Sequence, residues 1–173
     1  MAVKPGWEGR YFEDFDVGDV YRCRLGRTVT EADNIWFTLL TQNTNPVHFD
    51  HNVSAKTAFG RPIVGSTFTL ALVTGQSVSD ISLNSMSNLG WDEVRLPNPL
   101  FEGETVYSQS EVLEKRDSKS KPEIGIVTFK TTGYTQDGKV VITFKRIVLV
   151  YKRGCMPEAM MGPQIGPNEQ GGK

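Results

Sequence analysis

The feature that most constrains the fold is a change of sequence pattern near residue 89, after which long strand-like segments follow one another. These segments are rich in Val, Ile, Thr, Phe and Tyr, which favour strands, and they are Glu104–Leu113, Ile124–Gln136 and Lys139–Lys152. Asp137 and Gly138 separate the last two, and this pair is typical of a tight hairpin because glycine accepts a positive φ. The second half of the chain is therefore predicted to form an antiparallel sheet.

The first half combines one strand with a helix that ends at an Asn-Pro turn. Val20–Arg27 alternates apolar and polar residues, as a half-buried strand does. Thr30–Asp33 resembles the capped start of a helix, and the following residues Ile35, Trp36, Leu39 and Leu40 give that helix one apolar face. Asn43–Pro46 must end it, because the residue before a proline avoids helical angles.

A second, more apolar segment predicts a helix that lies against the sheet. His48–Phe59 can hold one short helix, with Asp50 as its N-cap, before Gly60–Pro62 interrupts it. Thr67–Val78 has few polar positions, and Ser66 is a plausible N-cap for it. Strand, helices and then several antiparallel strands give an α+β fold with the helices on one face of a curled sheet.

Composition and charge exclude several classes of protein. The 173 residues suit one domain, predicted over residues 1–153 with a flexible tail over 154–173. Nineteen basic against 20 acidic residues argue against a nucleic-acid-binding protein. The two cysteines form no CxxC pair, and His48 and His51 have no third ligand nearby, so no metal site is expected. No apolar run is long enough for a membrane span, and a soluble cytoplasmic protein is predicted.

The strongest chemical motif is the stretch from Asn43 to Asp50. It contains Asn45, Pro46, Val47 and His48, followed by Asp50 two positions later. Histidine suits acid–base chemistry because its ordinary pKa of about 6.5 lies near working pH. From the residues alone, a histidine after a turn such as His48 is more often a solvated or structural residue, and Asn43 is a helix C-cap.

With these residues the sequence resembles the MaoC-like dehydratases, the (R)-specific enoyl-CoA hydratases of the hot-dog fold. The resemblance continues through Ala58–Val64 and the apolar helix, then through Leu96–Pro97, Pro99, Gly103–Glu104 and the closing hairpin. It implies a curled antiparallel sheet wrapped around the central helix, with residues 30–59 lying over its open side. It also implies a lyase that hydrates a 2-enoyl-CoA or dehydrates a 3-hydroxyacyl-CoA.

The resemblance further implies roles for individual residues. His48 would be the acid–base group, and the backbone N–H of Ser66, with Gly65 before it, would receive the thioester oxygen. Asn43 stands where the family has an acidic residue, so it could hold the water but could not exchange its proton. Thr74 and Arg61 would contact the substrate, although Arg61 by itself suggests a surface ion-pair partner.

The same resemblance indicates the ligand and the assembly. The acyl-CoA thioester is the substrate and no further cofactor is expected. Two sheets would join edge to edge in a homodimer or a higher homo-oligomer. Gly60–Val78 and Leu89–Pro99 resemble a branch that acts on short, branched or dicarboxylic acyl groups. An acyl-CoA thioesterase and a non-catalytic acyl-CoA-binding module remain alternatives.

Overall fold

Six antiparallel strands form one sheet in the computed structural model, which describes residues 4 and 6–161. The strands are β1 (Val20–Arg22), β2 (Arg27–Thr28), β3 (Ser85–Arg95), β4 (Thr105–Asp117), β5 (Ile124–Thr135) and β6 (Val140–Tyr151). Their order is β1-β4-β5-β6-β3, and β2 pairs with β4 on the same side as β1. The strand predicted over Val20–Arg27 is therefore two short strands, and β3 forms the opposite edge.

The sheet is built as the sequence pattern predicts. Along β5 and β6 buried positions alternate with half-buried ones, because successive side chains of a strand point to opposite faces. Their turn closes with the Thr135 N–H donating to the Lys139 carbonyl oxygen at 2.9 Å, and Gly138 has a φ of +78°. The predicted hairpin at Asp137–Gly138 is confirmed.

The central helix, α3 (Ser66–Ile81), packs against the curled sheet. Val73 on this helix is fully buried, and a Cβ at Gly133 on β5 would lie 2.6 Å from its Cγ2. Only glycine therefore allows the helix to approach β5 this closely. The predicted hot-dog architecture is confirmed, whereas the predicted N-cap is wrong: Gly65 caps α3 and Ser66 is its first residue.

The remaining helices begin where their caps were predicted. In α1 (Glu31–Leu40), Thr30 and Asp33 form a reciprocal capping box, which satisfies main-chain donors that the helix leaves free. In α2 (His51–Ser54), the Asp50 carboxylate accepts hydrogen bonds from the Asn52 and Val53 N–H groups. Both N-terminal predictions are confirmed.

The apolar face of α1 points outward in this chain. Trp36 is 66% exposed, and Leu39 and Leu40 are also exposed. The residues of α1 that are buried are polar, Asn34 and Thr38. This helix therefore turns part of its polar side toward the body of the protein.

Residues that follow β6 border a cavity together with residues near the N-terminus. Met156, Met160 and Met161 border a cavity of about 480 Å³ together with Trp7 and Tyr11. Residues 162–173, which belong to the tail predicted over 154–173, lie outside the described residues. Among the described residues, no helix has the length and apolar character that a membrane span requires.

Candidate active site

His48 is carried on a short turn that the Asn-Pro sequence creates. Pro46–His48 form one 3-10 turn, and the Asn45 side-chain oxygen accepts a hydrogen bond from the Val47 N–H at 3.2 Å. Proline suits the first helical position of this turn, because it lacks an N–H and the N–H of any residue at that position would be unpaired. The Val47 carbonyl oxygen accepts the Ile63 N–H at 3.2 Å, which attaches the turn to the segment before α3.

The imidazole of His48 is oriented by one main-chain carbonyl. His48 is 9% exposed, and its Nδ1 lies 2.9 Å from the Ile63 carbonyl oxygen. A carbonyl oxygen can only accept, so Nδ1 carries the proton in this contact. In the neutral ring Nε2 is then left with its lone pair. His48 is thereby prepared to take a proton from a bound molecule through Nε2.

The N-terminus of α3 offers main-chain donors beside this histidine. Gly65 provides no side-chain cap, and the first helical bond runs from the Thr69 N–H to the Gly65 carbonyl oxygen at 3.0 Å. Within the described residues the Ser66 N–H has no acceptor. The dipole of this 16-residue helix favours negative charge at its start. This end of α3 can stabilise an oxygen that gains negative charge.

One cavity of about 330 Å³ brings these two groups together. Its polar lining consists of His48, Ser66, Thr69 and Asn98. Its other lining residues are largely apolar: Phe59, Ile63, Val64, Leu96, Pro97, Pro99, Leu100 and Val141. A small, mostly apolar pocket with a few convergent polar groups is typical of a binding site for an organic molecule.

Asn43 lies after the C-terminus of α1. The Asn43 N–H donates to the Thr38 carbonyl oxygen at 2.9 Å, and Gln42 has a φ of +54°, which together end the helix in a Schellman-type cap. The Asn43 side-chain oxygen accepts the Asn45 N–H at 3.2 Å. Asn43 borders a different depression, with Ile35, Thr38, Leu39, Gln42, Thr44 and Phe49, and does not line the His48 cavity.

Arg61 and Thr74 have other neighbours in this chain. The Arg61 guanidinium lies 4.1 Å above the centre of the Phe101 ring, and no carboxylate among the described residues pairs with it. The residue type of Arg61 predicted a surface ion pair. In the structure its guanidinium contacts the Phe101 ring instead of a carboxylate. Thr74 accepts a hydrogen bond from the Trp91 indole N–H at 3.3 Å and does not line the His48 cavity.

Sequence reasoning missed two residues of this region. Thr69 lines the cavity and its hydroxyl donates to the Gly65 carbonyl oxygen at 3.2 Å. Asn34 is fully buried and hydrogen-bonds the main chain of both His48 and Gly65. A polar residue on an amphipathic helix is ordinarily expected to face solvent, so the pattern gave no signal for Asn34.

The described residues contain no group of three or more His, Cys, Asp or Glu side chains arranged to hold a metal ion. His51, which stands near His48 in sequence, instead pairs with the Glu31 carboxylate at 3.0 Å on the surface.

Comparison with known proteins agrees with this architecture. A family model described as mesaconyl-CoA hydratase matches residues 4–172. The mesaconyl-CoA hydratase of Cereibacter sphaeroides is 30% identical over 84% of this chain and 42% of its own length. The (R)-specific enoyl-CoA hydratase of Aeromonas caviae is 29% identical over 79% of this chain and 96% of its own length.

A solved structure is also similar to this chain. It is that of a putative MaoC domain protein dehydratase from Chloroflexus aurantiacus, and it is similar to this chain with a TM-score of 0.83 at 29% identity. The match covers 90% of this chain and 45% of that one. The chain thus spans less than half the length of the mesaconyl-CoA hydratases that it matches.

Proposed function

Because the chain belongs to the MaoC-like hydratase family whose matching model is described as mesaconyl-CoA hydratase, we propose that it adds water to a 2-enoyl-CoA and dehydrates the corresponding 3-hydroxyacyl-CoA. One observation carries this proposal. Among the described residues, the His48 Nε2 and the Ser66 N–H have no protein partner, and both residues line the same small cavity. Hydration of a thioester-conjugated double bond requires a base for water and a donor for the thioester oxygen.

The two groups divide the reaction between them. His48 Nε2 takes a proton from water as the water oxygen bonds to the β carbon of the double bond. Electrons of that double bond move toward the thioester carbonyl, whose oxygen gains negative charge and accepts the Ser66 N–H. The proton held by His48 then passes to the α carbon, which restores the thioester carbonyl and leaves a 3-hydroxyacyl-CoA. Dehydration follows the same steps in reverse.

The substrate we propose is a short acyl group, branched and dicarboxylic. Relatives of this chain are named for mesaconyl-CoA and β-methylmalyl-CoA, which carry such groups. The small volume of the cavity supports a short chain. Arg61 follows the cavity residue Phe59 by two positions and pairs with no carboxylate among the described residues. It is our candidate for binding an anionic group of the substrate.

The proposal is tested by incubating the protein with crotonyl-CoA and with mesaconyl-CoA. Loss of the enoyl-thioester absorbance without release of thiol supports the hydratase. Release of free thiol would indicate a thioesterase and overturn the proposal. Binding of both compounds, with neither signal on either, would also overturn it and favour a binding module.

Because Asn43 stands where the resembled family has an acidic residue, we propose that its amide holds the attacking water without exchanging its proton. For this its side chain must leave the Asn45 N–H and reach the His48 cavity, which it does not line in the structure. Asn43→Asp is nearly isosteric and should keep or increase turnover, since a carboxylate can hold water and accept its proton. Asn43→Ala should reduce turnover by releasing the water. The parent should show a pH–rate profile with one ionisation and not the two limbs of an acid–base pair. Steady-state kinetics on one enoyl-CoA measures the parent, Asn43→Asp and Asn43→Ala. If Asn43→Ala is as active as the parent, Asn43 only helps to end α1 and does not hold the water.

A homodimer is expected to form through the β3 edge. This long edge strand exposes Met86, Leu89 and Trp91, and exposed apolar edges are usually paired or covered. Light scattering at micromolar concentration should give the dimer mass. Leu89→Lys, at a position 56% exposed, should shift the mass toward the monomer, whereas Leu25→Lys, on an exposed residue outside β3, should not. A parent of monomer mass would contradict this assembly.

A further inference from the structure

One buried side chain outside the cavity connects the histidine turn to the start of α3. Asn34 lies in the first part of α1 and is 0% exposed. It does not border the cavity that His48 and Ser66 share. Its amide group nevertheless bonds main-chain atoms of His48 and Ile63, which line that cavity, and of Gly65, which precedes the lining residue Ser66.

The amide nitrogen of Asn34 donates to two carbonyl oxygens that fix the position of the His48 imidazole. It donates to the His48 carbonyl oxygen at 2.7 Å and to the Ile63 carbonyl oxygen at 3.2 Å. The second oxygen is the one that accepts the His48 Nδ1 proton. Asn34 thus bonds both the main chain of the histidine and the acceptor that orients its ring. The Glu102 carboxylate lies 3.3 Å from the same nitrogen and can share its protons.

The side-chain oxygen of Asn34 acts on the start of the helix. It accepts the Gly65 N–H at 3.0 Å, one residue before the Ser66 N–H. Because Gly65 is the N-cap, its orientation determines where the following N–H group points. One amide therefore joins segments that are 14 and 31 residues away from it in sequence.

We propose that Asn34 is a positioning residue, which sets the distance and angle between His48 Nε2 and the Ser66 N–H without contacting the substrate. The inference rests on the proposed hydration of an enoyl-CoA and extends it to a residue outside the cavity. Asn34 is suited to this role because one planar amide presents a donor and an acceptor at fixed separation. Small displacements of reacting groups are costly, with about 1 Å accounting for roughly a hundredfold in rate.

Asn84 provides a matched control for a buried asparagine that only stabilises the fold. It is 2% exposed, lies just after the other end of α3, and donates to the Glu8 carbonyl oxygen at 2.8 Å. It does not border the His48 cavity. Both Asn34→Ala and Asn84→Ala should therefore lower stability, whereas Asn84→Ala alone should keep turnover.

The kinetic test compares Asn34→Ala, Asn34→Asp and Asn84→Ala on crotonyl-CoA. Asn34→Asp keeps the acceptor for Gly65 and loses the donor toward His48 and Ile63. We expect both Asn34 variants to lose about a hundredfold in kcat while KM stays within about threefold of the parent, the pattern of an interaction that acts in the transition state. Asn84→Ala should keep kcat within about threefold. Asn34 variants with kcat equal to that of Asn84→Ala would overturn the proposal.

A second measurement does not depend on activity. Hydrogen exchange of the Gly65 amide should accelerate in Asn34→Ala and stay unchanged in Asn84→Ala, because only the first loses the acceptor of that N–H. A parent without turnover, combined with this exchange pattern, would refute the hydratase and leave the role of Asn34 in positioning supported. Unchanged Gly65 exchange in Asn34→Ala would overturn the inference in either case. Failure of both Asn34 variants to fold would also overturn it, since Asn34 would then be a folding residue.

Discussion

His48→Ala should remove nearly all turnover of the protein on its best enoyl-CoA. Proton transfer by a positioned side chain contributes roughly 10²–10⁴-fold in rate, and His48 provides the only imidazole that lines the cavity. The expected loss of kcat is therefore of that order. Turnover is measured as the change in enoyl-thioester absorbance, with the parent and variant at the same concentration of folded protein.

The same substitution should leave the melting temperature close to that of the parent. Removing the imidazole takes one donor from the Ile63 carbonyl oxygen, but the Asn34 amide still donates to that oxygen. The buried carbonyl therefore keeps a partner, and the larger penalty of an unpaired group is avoided.

His51→Ala is the natural control, because the sequence contains only two histidines. His51 is exposed and pairs with Glu31 on the surface, where an ion pair contributes little. Its removal should change neither turnover nor melting temperature appreciably. A His48→Ala protein whose turnover stays within about tenfold of the parent would exclude His48 as the acid–base residue.

The sheet and the central helix could be predicted because their burial follows simple periods. Strands β5 and β6 alternate in burial, and that period of two is visible in the sequence without knowledge of their neighbours. The caps at Thr30 and Asp50 were equally predictable, because they depend on residues within one turn of the helix. Local chemistry was sufficient in these cases.

The interior of the site could not be predicted in the same way. Apolar spacing in α1 indicates that Trp36 and Leu39 face inward, whereas both are exposed and Asn34 is buried. The reason is that Asn34 serves main-chain groups of two distant loops, and their positions depend on the folded arrangement of the whole chain. Sequence periodicity contains no information about such acceptors.

The exact start of α3 was missed for a related reason. Serine is the better N-cap by preference, so Ser66 was expected there. Gly65 adopts the cap position, with φ of −57° and ψ of 133°, and its N–H is taken by Asn34. A one-residue difference matters here, because it makes Ser66, which lines the cavity, the first helical residue, and its N–H has no acceptor among the described residues.

Ser66→Pro should abolish most of the activity while keeping the fold. Proline has no backbone N–H, so the substitution removes the donor that we propose for the thioester oxygen and takes no hydrogen bond from the helix. It is also well accepted at the first position of a helix. Gly65 already has a ψ of 133°, which lies in the range that the residue before a proline prefers. Removing one such donor typically costs about 10²–10³ in kcat.

Ser66→Ala separates the main-chain donor from the side chain at the same position. It keeps the N–H and removes only the hydroxyl, so its kcat should stay close to that of the parent, while circular dichroism and melting temperature should be similar for all three proteins. Equal losses in Ser66→Ala and Ser66→Pro would assign the effect to the hydroxyl. A Ser66→Pro protein with parental kcat would mean that the thioester oxygen is stabilised by another group, and that the start of α3 does not take part in the reaction.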